Sequence, residues 1–292
     1  FRVPELHAWG SLPIMSLQAL KGPLVTPHFR LHTIEGLVST LFLVEYPNKM
    51  LLFDSGCPCD IEPVAQFVSS SLKKKMTDLT LCFVSHAHPD HQGGAHRLRE
   101  KFKTPIAGPH DIGVWYDGVG GWLQQQNDIM LAHLVSHVRG KGFRRLAFPR
   151  EFDVDFRLHH GAQLPHFPDW SVVALPGHTS HQLGLVHALT RTAYMADLVI
   201  LLKGQIQPPF PIHNRPAYLG SLERTTSLAS HHLLLAHGGI FDGPQVREHF
   251  PRVQHAVAHA KLPQDTRPAM RYLLTPLSFL NAESRRESKF AV

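Results

Sequence analysis

The chain has 292 residues, 43% of them hydrophobic and 18% charged, with a formal net charge of +6 and a pI near 9.3. That is enough apolar material for one sizeable core, and single α/β domains of ~200–250 residues are common, so no second domain is required. No stretch approaches the ~18 apolar residues of a membrane span, the first residues do not read as a charged-then-apolar leader, and no basic run is interleaved with aromatics as a nucleic-acid groove demands; a soluble, cytoplasmic protein acting on a small molecule is expected.

Taken in chain order, Ser39 to Tyr46 and Met50 to Phe53 read as strands joined by a Pro-Asn-Lys turn. A helix starting near Asp60 follows, ending at Lys73-Lys74-Lys75, where cations complement the helix dipole. Cys57 and Cys59 are too closely spaced for an ordinary disulfide, and Cys82 lies in an apolar run, so reduced thiols are expected. Leu79 to Val84 reads as a buried strand, and Ala95 to Phe102, after Gly93-Gly94, as a helix.

Between them stands His86-Ala87-His88-Pro89-Asp90-His91. Such a density of metal-ligating side chains has few uses other than holding divalent ions. The chain has 23 histidines, which makes a chance cluster less surprising, yet a complete H-x-H-x-D-H just after a strand arises by accident in roughly one such chain in a hundred. In an extended segment alternate residues point the same way, so His86 and His88 can clasp one ion while Asp90 and His91, after a proline, turn toward a second. Imidazole plus carboxylate suits zinc, with iron, manganese or cobalt as alternatives on ligand type.

A long segment separates His91 from the next candidate ligand, His178. In it, Gly118-Val119-Gly120-Gly121 reads as a flexible lead into a helix from Trp122 to Val138, amphipathic through Leu123, Met130, Leu131, Leu134 and Val138. A core helix and a lid or pocket wall are both open readings. Trp115, Tyr116 and Trp122 flank the glycines and are candidates for a pocket that accepts an apolar group. His133 and His137 lack a third ligand and read as surface or core filling, and Asp153 and Asp155 as a solvated strand edge. Further strands are expected at Val172 to Leu175, Gln182 to His187, Thr192 to Ala196 and Leu233 to Ala236, with a helix from about Pro216 carrying Leu219, Leu222 and Leu228. His181 and His213 are further pocket candidates. Arg285-Arg286 sits in a polar tail.

Five landmarks in order carry a resemblance: Phe53-Asp54-Ser55-Gly56, the His86–His91 motif, Pro176-Gly177-His178-Thr179, Asp197 after Met195-Ala196, and Ala236-His237-Gly238-Gly239. The chain resembles the metallo-β-lactamase superfamily. The resemblance implies an α/β fold, a four-layer αββα sandwich over residues 1–280 with a helical insertion at about 110–165, and a polar tail at 281–292. It implies that His86, His88 and His178 hold one metal, that Asp90, His91 and His237 hold the other, and that Asp197 bridges them. Asp54 would orient a ligand histidine or the loop backbone rather than ligate.

Two divalent ions acidify a shared water to a pKa of roughly 7, and the hydroxide so formed can attack an ester, thioester, lactone or amide carbonyl, with Asp90 passing a proton to the leaving group. Within the superfamily the build is similar to acyl-homoserine lactonases and glyoxalase II-like thioesterases, so a lactone or thioester with an apolar acyl group is the expected substrate. Lactonases often place a tyrosine three residues after the bridging aspartate, where this chain has Ile200; Tyr194, Tyr218 or Tyr116 would have to supply the phenol. Persulfide-dioxygenase, phosphodiesterase and non-catalytic binding activities are the alternatives, and association as a homodimer is also among the expectations.

Overall fold

Side-chain alternation along the strands sorts apolar residues onto opposite faces. The computed structural model, which describes residues 17–259, shows the layers that result. The first sheet comprises β1 (Leu24–Val25), β2 (Arg30–Glu35), β3 (Thr40–Glu45), β4 (Met50–Phe53), β5 (Leu79–Phe83), β6 (Ile106–Pro109) and β7 (Phe156–Leu158), side by side in chain order. β1 to β4 pair antiparallel, and β4 to β7 parallel. Parallel neighbours need crossovers. These contain α1 (Ile61–Gln66), α2 (Ala95–Phe102) and α3 (Gly118–Val138).

The second sheet holds β8 (Gln163–Leu164), β9 (Phe167–Ala174), β10 (Leu183–His187) and β11 (Thr192–Tyr194), then, after a hairpin of β12 (Ile200–Leu202) with β13 (Gln205–Gln207) and after α4 (Arg215–Ser227), β14 (His232–Leu235) and β15 (Gly239–Asp242). Its spatial order is β15-β14-β11-β10-β9-β8, with only β11 and β14 parallel. α5 (Gly243–Arg247) and α6 (Phe250–His259) end the described chain.

β4 is buried on both faces, and its alternation builds two cores. Leu51 and Phe53 point between the sheets, joining Phe42, Phe83, Trp170, Leu185 and Tyr194. Met50 and Leu52 point outward, onto Ile61, Val64 and Leu98 of the helices. β14 does the same on the second sheet: Leu234 faces inward, while Leu233 and Leu235 pack with Leu222, Val253 and Val257. Each such side chain contributes roughly 1.5–3 kcal/mol of burial. The αββα sandwich expected from the sequence is therefore the observed fold. Among the described residues no helix is long and apolar enough to cross a membrane, and Cys57, Cys59 and Cys82 are free thiols. The tail at 281–292, with Arg285-Arg286, lies outside the described residues.

The largest departure from the sequence reading is α3. It starts at Gly118, four residues before Trp122, where Asp117 accepts a hydrogen bond from the Gly118 N–H at 2.7 Å. The glycines answer a packing need rather than a hinge: a Cβ on Gly121 would sit 2.0 Å from the Tyr116 carbonyl carbon. The helix is also turned inside out. Gln124, Gln125, Asp128, Ala132 and Ser136 are buried, whereas Trp122, Met130, Leu134 and Val138 face water. The buried polar groups are tolerated because they have partners: Gln125 Nε2 donates to the Phe148 carbonyl at 3.2 Å, and Ser136 Oγ to the Gly142 carbonyl at 2.7 Å.

Candidate metal centre

Strands from both sheets deliver their following residues to one edge of the sandwich. Asp54 follows β4, His86 to His91 follow β5, His178 lies in the turn after β9, Asp197 follows β11, and His237 follows β14. Two of these exits use strained backbone. Asp54 and Ala196, the residue before Asp197, take left-handed conformations at φ 57° and 46°, which cost of order 1 kcal/mol or more each and persist only where the surroundings enforce them. Gly177, at φ 136°, lets the chain pass over α4: a Cβ there would lie 2.4 Å from the Tyr218 Cα. Gly177→Ala is expected to lower stability by about 2–4 kcal/mol in a urea titration.

His86, His88, His178 and Asp197 form one group of convergent donor atoms, and Asp90, His91 and His237 a second; within each, the atoms lie within 4.8 Å of one another. His88 Nδ1 is 3.0 Å from His86 Nε2 and 3.1 Å from His178 Nε2. His91 Nε2 is 3.4 Å from Asp90 Oδ2 and 3.3 Å from Asp197 Oδ1, and His237 Nε2 is 3.3 Å from both Asp90 Oδ2 and Asp197 Oδ2.

The outer ring nitrogens show that a cation fits between the inner ones. His91 Nδ1 meets the Asp54 carboxylate at 2.6 Å and His178 Nδ1 meets the Pro211 carbonyl at 2.6 Å. Both oxygens only accept, so each Nδ1 carries a proton, and in a neutral ring the Nε2 lone pair is then directed at the centre. His86 Nδ1 likewise touches Ser85 Oγ at 3.0 Å. His91 Nε2, Asp90 Oδ2 and Asp197 Oδ1 are buried without a hydrogen-bond partner. Burial holds His86, His88 and His178 below the usual imidazole range, as neutral ligands require. Burial also acts against charge on His91 and His237, but the Asp197 and Asp90 carboxylates outweigh it and raise both, His237 to about 10. The carboxylates thus draw positive charge into this corner, and a divalent ion would supply it.

Asp54 sits beneath the centre as a buried acceptor. Besides His91 it takes the Ser85 N–H at 2.6 Å, the Ser85 hydroxyl at 2.9 Å and the Tyr194 hydroxyl. Tyr194 is therefore turned into the core between the sheets, as its place on β11 dictates, and does not reach the open side of the centre. Tyr218 is also buried, donating to the Leu198 carbonyl at 2.7 Å.

Above the metal groups lies a cavity of about 100 Å³, whose walls include His88, Asp90, Asp128, Leu131, Val135 and Phe210. Trp122 is half exposed and does not line it; on the inverted helix its position points away. Trp115 packs between His181 and His213, with ring centroids 5.0 Å from each, and His181 Nε2 receives the Ala87 N–H at 3.1 Å, bracing the His86–His88 loop. These residues support the wall from behind. The sequence reading passed over Asp128. Tyr116 donates to its Oδ2 at 2.9 Å and Gln124 to its Oδ1 at 2.7 Å, and it faces His88 Nε2 at 3.8 Å. Burial pushes its carboxyl up to about 7. A signal was present: Asp128 is the one carboxylate between Asp117 and Glu151.

Comparison with known proteins agrees with this geometry. Residues 34–230 match the sequence pattern described as the metallo-beta-lactamase superfamily. No curated protein matches the chain. Among solved structures, an archaeal metallo-beta-lactamase superfamily protein from Sulfolobus tokodaii superposes with a TM-score of 0.58 at 18% identity, covering 88% of this chain and 98% of its own. A metallo-beta-lactamase family protein from Thermus thermophilus gives 0.54 at 15%, covering 82% and 78%. The metallo-beta-lactamase FIM-1 from Pseudomonas aeruginosa, in its mono-zinc form, gives 0.58 at 11%, covering 84% and 98%. At these identities the likeness is one of fold.

Proposed function

The chain belongs to the metallo-β-lactamase superfamily, and from that premise we propose that it is a metal-dependent hydrolase of an ester-type carbonyl, a lactone with an apolar acyl group first and a thioester second. The observation that carries this reading is the juxtaposition of two His/Asp groups with a cavity whose wall is partly apolar. Zinc is the proposed cofactor, supported by the donor set and by the mono-zinc form of the Pseudomonas protein of the same fold, and the donor set of the second group is the support for a second ion. Divalent ions there would polarise a carbonyl oxygen and acidify water to a pKa of roughly 7.

The chain's own residues do the rest. Leu131, Ala132, Val135, Val38 and Phe210 offer an apolar wall for the acyl group. Asp90, with Oδ2 directed into the centre, can take up the proton released as water adds to the carbonyl and hand it to the departing oxygen or sulfur. Among the described residues no tyrosine lines the cavity; Tyr116 acts there through Asp128, whose carboxyl can take a hydrogen bond from a polar part of the substrate. The free thiols support a reducing, cytoplasmic setting.

Incubating the protein with acyl lactones should release acid, measured by pH-stat titration, without oxygen uptake. The rate should vanish with a chelator and return with zinc, manganese or cobalt. Oxygen consumption with a persulfide, or turnover of a phosphodiester alone, would overturn the ester-hydrolase reading.

A further inference from the structure

His88 differs from the other two imidazoles of its group in the nitrogen it turns to the centre. Its Nδ1 lies 3.0 Å from His86 Nε2 and 3.1 Å from His178 Nε2, so Nδ1 is the donor atom and the proton of the neutral ring belongs on Nε2. His86 and His178 rest their outer nitrogens on Ser85 Oγ and the Pro211 carbonyl. The outer Nε2 of His88 is buried and has no hydrogen-bond partner. What faces it is a carboxylate, Asp128 Oδ2, at 3.8 Å.

Asp128 is held in that place by a separate donor on each oxygen. The Tyr116 hydroxyl donates to Oδ2 at 2.9 Å and Gln124 Nε2 to Oδ1 at 2.7 Å. Gln124 and Asp128 lie four residues apart on the inward face of α3, and Gly121 lets that helix close onto the Tyr116 backbone. A carboxylate only 5% exposed is costly to bury without a cation, and among the described residues His88 is its one ion-pair partner. Packing gives no reason for an acid here, whereas a cation on the far side of the His88 ring does. The first group offers such an ion three neutral imidazoles and a single carboxylate, Asp197, which is shared with His91 and His237 of the second.

We propose that Asp128 is a positioning residue of the first metal group: steered by Tyr116 and Gln124, its carboxylate faces the Nε2–H of His88, keeps Nδ1 turned to the ion and adds negative charge behind the ring. The contact is longer than a hydrogen bond, so it acts through charge and through the choice of tautomer. The role rests on a metal in the first group, as the hydrolase reading does, and not on which bond is cleaved. Outer partners of ligand histidines are typically worth about 10–100-fold in metal affinity.

Zinc affinity, measured by chelator competition without substrate, tests the role. Asp128→Asn keeps the size of the side chain and should bind zinc about tenfold more weakly than wild type, while Asp128→Glu, which retains the charge, should lose less. The visible absorption of cobalt-loaded Asp128→Asn should be displaced from that of wild type, a change that loosened packing alone does not produce. In zinc-loaded wild-type protein, nitrogen NMR of labelled histidine should find His88 bound through Nδ1 and protonated at Nε2, an arm that needs no variant to fold. Binding through Nε2 overturns the role, and so do equal losses of affinity in the two variants. Wild-type zinc affinity in folded Asp128→Asn also overturns it, including the case in which only KM rises, the mark of a substrate contact. Wild-type protein that takes up no zinc rejects the metal centre and this role together. Weaker zinc binding in Asp128→Asn, with a wild type inactive on every ester, keeps the role and rejects the hydrolase reading alone.

Discussion

His178→Ala protein should purify folded, with bound divalent metal well below the wild-type content and with ester hydrolysis at background. Among the candidate ligands, His178 is held from two sides. Its Nε2 lies 3.1 Å from His88 Nδ1 and 3.5 Å from Asp197 Oδ2, and its orientation is fixed by the Pro211 carbonyl behind it. The neighbouring imidazoles are held elsewhere: His181 is engaged with the Ala87 N–H, and His213 is packed on Trp115. Elemental analysis of the purified variant, beside a pH-stat assay, decides the matter. Full metal occupancy in an active His178→Ala protein would sink the assignment of the first group.

The second large effect is expected at Asp54, which touches no substrate and acts through His91. Asp54→Asn keeps the size of the side chain but offers an N–H₂ where the carboxylate accepted from His91, Ser85 and Tyr194. At least one buried donor is then unmatched, at about 1–3 kcal/mol. His91 also loses the partner that fixes its tautomer, for which a 10–100-fold loss of metal affinity is typical. Chelator competition measures the affinity, and thermal melts with and without metal separate positioning from plain destabilisation. A purely structural role lowers both melts equally, whereas a positioning role shrinks the difference between them. Tyr194→Phe, which removes one donor and leaves the carboxylate in place, should be milder on affinity. Wild-type metal affinity in Asp54→Asn would refute the role given to Asp54.

Much of the centre was legible in the sequence because its pieces are local. Each candidate ligand directly follows an apolar run of strand length, and strand ends are where a side chain can leave the core without breaking the ladder, so His86, His178, Asp197 and His237 could be placed before any coordinates. What could not be read was orientation set by distant partners. Tyr194 looked available as a phenol, yet the alternation of β11 sends it between the sheets toward Asp54. On α3 the pattern of Leu131, Leu134 and Val138 suggested an apolar inner face, but Tyr116, Phe148 and Gly142 provide hydrogen bonds for polar residues instead. Periodicity ranks faces by hydrophobicity and contains nothing about such partners. Asp128 was missed for the same reason, since its neighbours Tyr116 and His88 belong to other segments.

Neither group of metal ligands is complete within one sheet. His86 and His88 leave the first sheet and meet His178 and Asp197 from the second; Asp90 and His91 leave the first and meet His237 from the second. An ion in either group would therefore be a rivet through the sandwich. Prising the two sheets apart at this edge and releasing the ion become a single event, so that slow ion exchange would report how rarely the sheets part, and a stripped protein would differ from a loaded one first in the hinge-like opening of this seam rather than in its helices or strands.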